Sequence, residues 1–174
     1  MLRILLFLLA FLTASSAAAA VEIAFYSHEM STSGDKIVEF PHAFITMRGQ
    51  PDAGGKPIDG NFGFTADRIS PAILLRPVKG RMVSADKSYV RASRRHFALR
   101  LTDAQYASVR AAYARWASIK GKSYDLDTRN CVHFVAQMAK AAGLAVPTDD
   151  SLYQMPAAFL EAVTARNRDR VARR

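Results

Sequence analysis

The chain contains one cysteine, Cys131, and four histidines, His28, His42, His96 and His133. A single thiol can form no internal disulfide and build no cysteine-rich zinc site. What it can do is attack a carbonyl, and that requires thiolate character and a base, usually an imidazole, within hydrogen-bond reach. Cys131 lies in Asn130-Cys131-Val132-His133-Phe134-Val135, directly after the polar run Asp125-Leu126-Asp127-Thr128-Arg129. That placement predicts a sulfur in the first turn of a helix, where unpaired N–H groups and the helix dipole favour the thiolate. The competing expectation is a small buried hydrophobe, the usual fate of a lone cysteine. His133 is near in number but sits about 200° around the helix, so it faces elsewhere and is expected to brace the helix. His42, in Pro41-His42-Ala43-Phe44-Ile45, and His96 both fall on strand-like segments, where a histidine is as readily a structural residue as a base. His28 falls in an expected loop. His28, Glu29 and Asp35 form the one mixed cluster and read as loop polarity, so neither a metal nor a cofactor is expected.

These residues must be held by two kinds of element. Between 21 and 101 the apolar residues come in short alternating runs separated by Gly, Pro and Asp, the pattern of strands. Strands are expected at 22–26, 37–47, 61–65, 73–83 and 96–101, with Pro41 and Pro77 bending or delaying two of them. The stretch 50–60 is turn chemistry throughout and reads as the loop of a long hairpin, and 28–36 reads as an exposed loop. From Thr102 the period becomes helical. Thr102 with Gln105 forms a capping box, Tyr106, Val109, Tyr113 and Trp116 follow at helical spacing, and Gly121 ends the helix. A second helix opens at Cys131 and closes at Gly143, and Pro156 starts a third. The expectation is an α+β domain whose antiparallel sheet packs on the helix carrying the cysteine.

The run from Tyr124-Asp125-Leu126 to Asn130-Cys131-Val132-His133-Phe134-Val135 resembles the cysteine motif of the circularly permuted papain-like cysteine hydrolases. That group includes the permuted relatives of the NlpC/P60 peptidases and the lecithin:retinol acyltransferase-like proteins. The resemblance implies a nucleophile at Cys131 and a histidine base upstream on a strand, which Pro41-His42-Ala43-Phe44-Ile45 matches in the permuted order. It also implies a third polar residue from the next strand, for which Asn61 is the match by position, and an oxyanion met by the Cys131 N–H with help from Tyr124. Val132 stands where the acyltransferase-like members carry an acid, and Asn61 where they carry a second histidine. Both departures lean toward peptidase or amidase relatives. The implied activity is an exported cysteine peptidase or amidase cleaving an amide bond, in peptide or cell-wall-derived substrate. A lipid thioesterase or acyltransferase, and a non-catalytic periplasmic binding domain, are the alternatives on the same scaffold.

The ends of the chain carry separate signals. Residues 1–20 have the three parts of a secretory signal peptide: Arg3, the apolar run 4–12, and small residues ending in Ala18-Ala19-Ala20. This predicts an exported, periplasmic or secreted protein with no transmembrane segment in the mature chain, the hydrolase-like domain at 21–165 and a basic tail at 166–174. The chain carries a formal net charge of +9, and 166–174 holds five arginines against Asp169. The tail is expected to fray, with contact to an anionic surface as its possible use. Nucleic acid is not an expected partner, because no reader motif accompanies the charge.

Overall fold

The computed structural model describes residues 21–33 and 36–173. The leader read at 1–20, together with Asp35 and Arg174, lies outside the described residues. The fold is α+β. Its main sheet has the order β6-β5-β4-β1-β7-β8, every pair antiparallel. The strands are β1 (Val21–His28), β4 (His42–Gly49), β5 (Ile58–Ala66), β6 (Gly80–Val83), β7 (Arg94–Leu101) and β8 (Ala172–Arg173). A separate two-stranded hairpin joins β2 (Ser31–Ser33) to β3 (Lys36–Glu39), so much of the expected loop at 28–36 is paired. The helices are α1 (Lys87–Ala92), α2 (Asp103–Ser118), α3 (Cys131–Ala141) and α4 (Pro156–Arg166).

Strand alternation sends Val21, Ile23 and Phe25 of β1, Ala43, Ile45 and Met47 of β4, and Phe97, Leu99 and Leu101 of β7 into one core. α3 lies within that core, burying Val132, Phe134, Val135, Ala136, Met138 and Ala139, with α2 and α4 contributing Val109 and Phe159. Being apolar on nearly every side, α3 is the central helix of the domain.

Several boundaries differ from expectation, each for a local reason. The run 37–47 breaks at Phe40-Pro41, since proline has no N–H to give a ladder. The run 73–83 is a strand only from Gly80. Pro71–Leu74 is instead a 3-10 turn with Pro in its first turn, closed by Leu75 N–H bonding to the Ala72 carbonyl. α1 is an added element, capped by the Asp86 side chain accepting from the Tyr89 N–H. The expectation of a frayed tail is overturned along most of its length. The buried Asn167 accepts from the Ala145 N–H and donates to the Ala145 and Val163 carbonyls, Val171 is buried, and Ala172 pairs with Ala98.

The sheet also divides. Pairing between β4 and β5 runs from Gly49↔Ile58 to Phe44↔Gly63 and stops there. Beyond that point β4 continues beside β1 to His28↔His42, while β5 continues beside β6 to Ala66↔Gly80. The two halves part where His42 and Ala43 begin β4.

Candidate active site

Cys131 is the first residue of α3, and the helix is opened by Asn130. The Asn130 Oδ1 accepts from the Val132 and His133 N–H groups at 2.8 and 3.1 Å. Its Nδ2 donates to the Leu126 and Tyr153 carbonyls, both at 2.7 Å. The His133 Nδ1 accepts from the Asn130 N–H at 3.3 Å, completing a reciprocal capping box. His133 also lies against the Tyr153 ring, with centroids 4.6 Å apart. Its role is to fix the helix opening, and it reaches backward to the cap rather than toward the sulfur. The cap engages the second and third N–H groups of the helix, and the Cys131 N–H is not among them.

The thiol is 5 % exposed and sits between α3 and β4. The N–H groups of Ala43, Cys131 and Val132 are directed at the sulfur and favour its charged form. Burial outweighs them and pushes the thiol up to about 11. The expected lowering by the helix N-terminus is therefore present but loses to desolvation, and the resting sulfur is a neutral thiol.

His42 precedes Ala43 on β4 and points to the opposite face of the strand, the face of Phe44. There it lines a cavity of about 360 Å³ with Phe40, Phe44, Asn61, Arg81, Tyr89 and Tyr124. The walls come from both sides of the divided sheet. Burial, reinforced by the neighbouring His28, lowers His42 to about 4, so its imidazole is neutral at pH 7. Among the described residues neither ring nitrogen of His42 has a hydrogen-bond partner, and no hydrogen bond joins it to the Cys131 sulfur. The other three histidines are all engaged: His28 with Ser93 Oγ at 3.0 Å, His96 with Ser27 Oγ at 2.8 Å, and His133 with the cap. Gly63 permits the ring position. A Cβ there would lie 2.6 Å from the His42 Nε2 and 3.3 Å from the Phe44 Cβ.

Asn61 reaches the same cavity, but its amide is used elsewhere. Nδ2 donates to the Ala85 carbonyl at 2.9 Å and Oδ1 accepts from the Ala85 N–H at 2.6 Å. It pins the segment before α1 to β5 and makes no hydrogen bond to His42, contrary to the orienting role the motif implied. Tyr124 is the link between cavity and thiol. It is tied to Val78 by N–H···O bonds of 2.8 and 2.9 Å, lines the cavity, and has its phenol raised by burial and by the charge Cys131 would carry.

Sequence reasoning singled out His42, Asn61 and Tyr124, which line one cavity, and Cys131, which is buried outside that lining. It missed Ala43, whose N–H meets the sulfur, and Gly63, whose missing side chain makes room for the imidazole. Gly63 stands in Asn61-Phe62-Gly63-Phe64, and an isolated glycine inside a strand pattern is the signal of a close approach. Among the described residues no group of three or more His, Cys, Asp or Glu side chains is arranged to hold a metal ion. No helix there is long and apolar enough to cross a membrane. Comparison with known families, with characterised proteins and with solved structures found no match to this chain.

Proposed function

We propose that the protein is an exported cysteine hydrolase of permuted papain-like type, cleaving an amide bond, with Cys131 as nucleophile and His42 as base. The observation that carries this reading is the junction at His42-Ala43. Ala43 directs its N–H at the sulfur, and the preceding residue, His42, presents an unengaged imidazole to a cavity that Tyr124 also lines. Because thiol and imidazole are both neutral at rest, proton transfer accompanies attack, as with a serine nucleophile, and no thiolate–imidazolium pair is held beforehand. In this mechanism the Cys131 sulfur bonds to the carbonyl carbon while its proton passes to His42. His42 then returns the proton to the leaving amine, and water releases the acyl group from the sulfur. The Cys131 N–H, outside the Asn130 cap, is the backbone donor for the oxyanion, with the Tyr124 hydroxyl as a second. In the free protein the His42 ring lies on the Phe44 face of β4 and Cys131 does not line its cavity, so the transfer requires the start of β4 to turn the imidazole toward the sulfur when substrate binds.

A second reading, hydrolysis of a lipid ester or thioester at the same residues, is favoured by the apolar wall that Phe40, Pro41, Phe44, Ile69 and Val83 give the cavity. One assay separates the two. Purified protein is incubated with cell-wall peptides and, separately, with p-nitrophenyl esters of increasing chain length, and products are followed by mass spectrometry. Peptide cleavage that Cys131→Ala abolishes supports the amide reading, whereas turnover rising with acyl length supports the lipid reading. Turnover that survives Cys131→Ala overturns both.

A further inference from the structure

The connection between β5 and β6 carries the most exposed large apolar side chains of the described residues. Leu75 is 84 % exposed, Leu74 75 % and Ile69 55 %. They are held outward by structure. The 3-10 turn Pro71–Leu74 is closed by the Ile73 N–H on the Ser70 carbonyl and by the Leu75 and Arg76 N–H groups on the Ala72 carbonyl. Val78 then anchors the chain to Tyr124. Exposing two adjacent leucines on a fixed turn leaves apolar surface in water with no folding gain, and such a patch marks a contact made with something else.

The charges around the patch identify that partner. From 67 to 81 the segment carries Arg68, Arg76, Lys79 and Arg81 against Asp67 alone. Lys79 and Arg81 share that carboxylate at 3.2 and 3.4 Å, while Arg68 and Arg76 have no ion pair among the described residues. Arg68 directly precedes Ile69 and Arg76 directly follows Leu75, so each end of the apolar run is flanked by an unpaired guanidinium. Apolar side chains that enter the acyl boundary, flanked by cations at headgroup level, are the pattern of interfacial anchoring. A protein partner of ordinary composition would meet the leucines but leave the flanking charges unanswered.

We infer that residues 68–76 dock the protein on an anionic phospholipid surface, with Leu74 and Leu75 inserted and Arg68 and Arg76 on lipid phosphates. Ile69 belongs both to this patch and, with the half-exposed Phe40, to the wall of the His42 cavity, so docking brings the mouth of that cavity to the membrane. The arginines at 166–170 take no part. They lie with α4 and β8 beyond β7, at the sheet edge opposite β6, where Arg168 shares a cleft with Arg94 and His96. The inference does not depend on the hydrolase reading, because it concerns binding alone.

The experiment is flotation of purified protein with vesicles of phosphatidylcholine and of phosphatidylcholine with 30 mol % phosphatidylglycerol, at about 50 and 500 mM salt. The expected result is binding to the anionic vesicles that weakens with salt. Leu74→Ser with Leu75→Ser should lower it at least tenfold, Arg68→Gln with Arg76→Gln should lower it and flatten its salt dependence, and Arg166→Gln with Arg168→Gln should leave it unchanged. Melting temperatures of the variants, all at exposed positions, should match wild type. Equal binding to both vesicles, no binding, or full binding by the double serine variant would overturn the inference. So would lipid-free self-association that the double serine variant abolishes, which would assign the patch to a second copy of the chain.

Discussion

The opening of α3 and the opening of β4 sit on either side of one sulfur and treat their polar groups in opposite ways. At Asn130 the side-chain oxygen accepts two N–H groups, the side-chain nitrogen satisfies two carbonyls, and His133 closes the box from above. At His42 the imidazole nitrogens meet no partner among the described residues, a glycine of β5 lies beside the ring, and the ladder to β5 has already ended. Buried polar groups are normally satisfied, because leaving one unpaired costs about 1–3 kcal/mol. The saturated region builds the scaffold. The unsaturated one leaves an imidazole open to a cavity, where a substrate proton could bind.

His42→Ala breaks the comparison most sharply. It should lower turnover by about 10²–10⁴-fold while leaving the urea midpoint near wild type, since a general base is lost and no hydrogen bond goes with it. The pH dependence of alkylation adds a control. Because the Cys131 sulfur is raised to about 11 and His42 is uncharged, iodoacetamide should react slowly at pH 7 and about tenfold faster per pH unit up to that value. His42→Ala should leave this profile in place. A wild-type profile that levels off near pH 7 would instead reveal a preformed thiolate.

Acid should act on the buried histidines next. His42 and His96 are both lowered to about 4, chiefly by burial, whereas an unfolded histidine titrates near 6.5. The unfolded chain therefore binds more protons between these values. The stabilisation is full above pH 6.5 and is lost as pH falls to 4, at most roughly 3 kcal/mol per histidine. Urea titrations at pH 7 and 4.5 would read it, and equal midpoints would show that these rings are more solvated than their surroundings indicate.

Asn130→Ala tests the saturated side. Losing a cap and stranding the Leu126 and Tyr153 carbonyls should cost about 3 kcal/mol in urea unfolding. A change below about 1 kcal/mol would mean that water replaces the cap at little cost. The smallest expected effect is Gly63→Ala. Its methyl group would meet the His42 Nε2, the end of a side chain that can swing, so turnover should drop about tenfold with a change in melting temperature of only a few degrees. A change in stability without a change in turnover would separate the ring position from catalysis.

These contrasts were unequally visible in the amino-acid order. The helix opening at Cys131 was legible because Asn130 and Gly143 bracket an apolar run, yet the second capping box was not, since His133 occupies a position where Glu or Gln is the usual signal. The box at Thr102 and Gln105 follows the usual pattern and forms as expected. Ile73, Leu74 and Leu75 read as strand because apolar runs ordinarily mark burial, and only tertiary structure reveals the two leucines as exposed. α1 is six residues long, too short for a period to declare itself. The parting of β4 from β5 depends on register, a property of two segments rather than one, and it governs which residues reach the cavity. The C-terminal segment was misjudged on charge, because its arginines masked the buried Asn167 and Val171.

The position of β1 has a consequence for the order of assembly. β4 and β5 meet across a short loop, from Gly49 to Ile58, and β1 reaches β4 from His28 to His42. The other edge of β1 must wait for β7, whose Leu101 pairs with Val21 across 80 positions of chain. Closing a loop of that length carries an entropy that nearby pairing does not, so the β4–β5 hairpin is the expected nucleus and the β1–β7 seam the last to zip. Until that seam closes, the most apolar strand of the sheet presents a bare edge, open to pairing with another chain. A chain shortened before Arg94 would keep that edge permanently, and fibrous or amorphous aggregate rather than a smaller soluble domain is its expected fate.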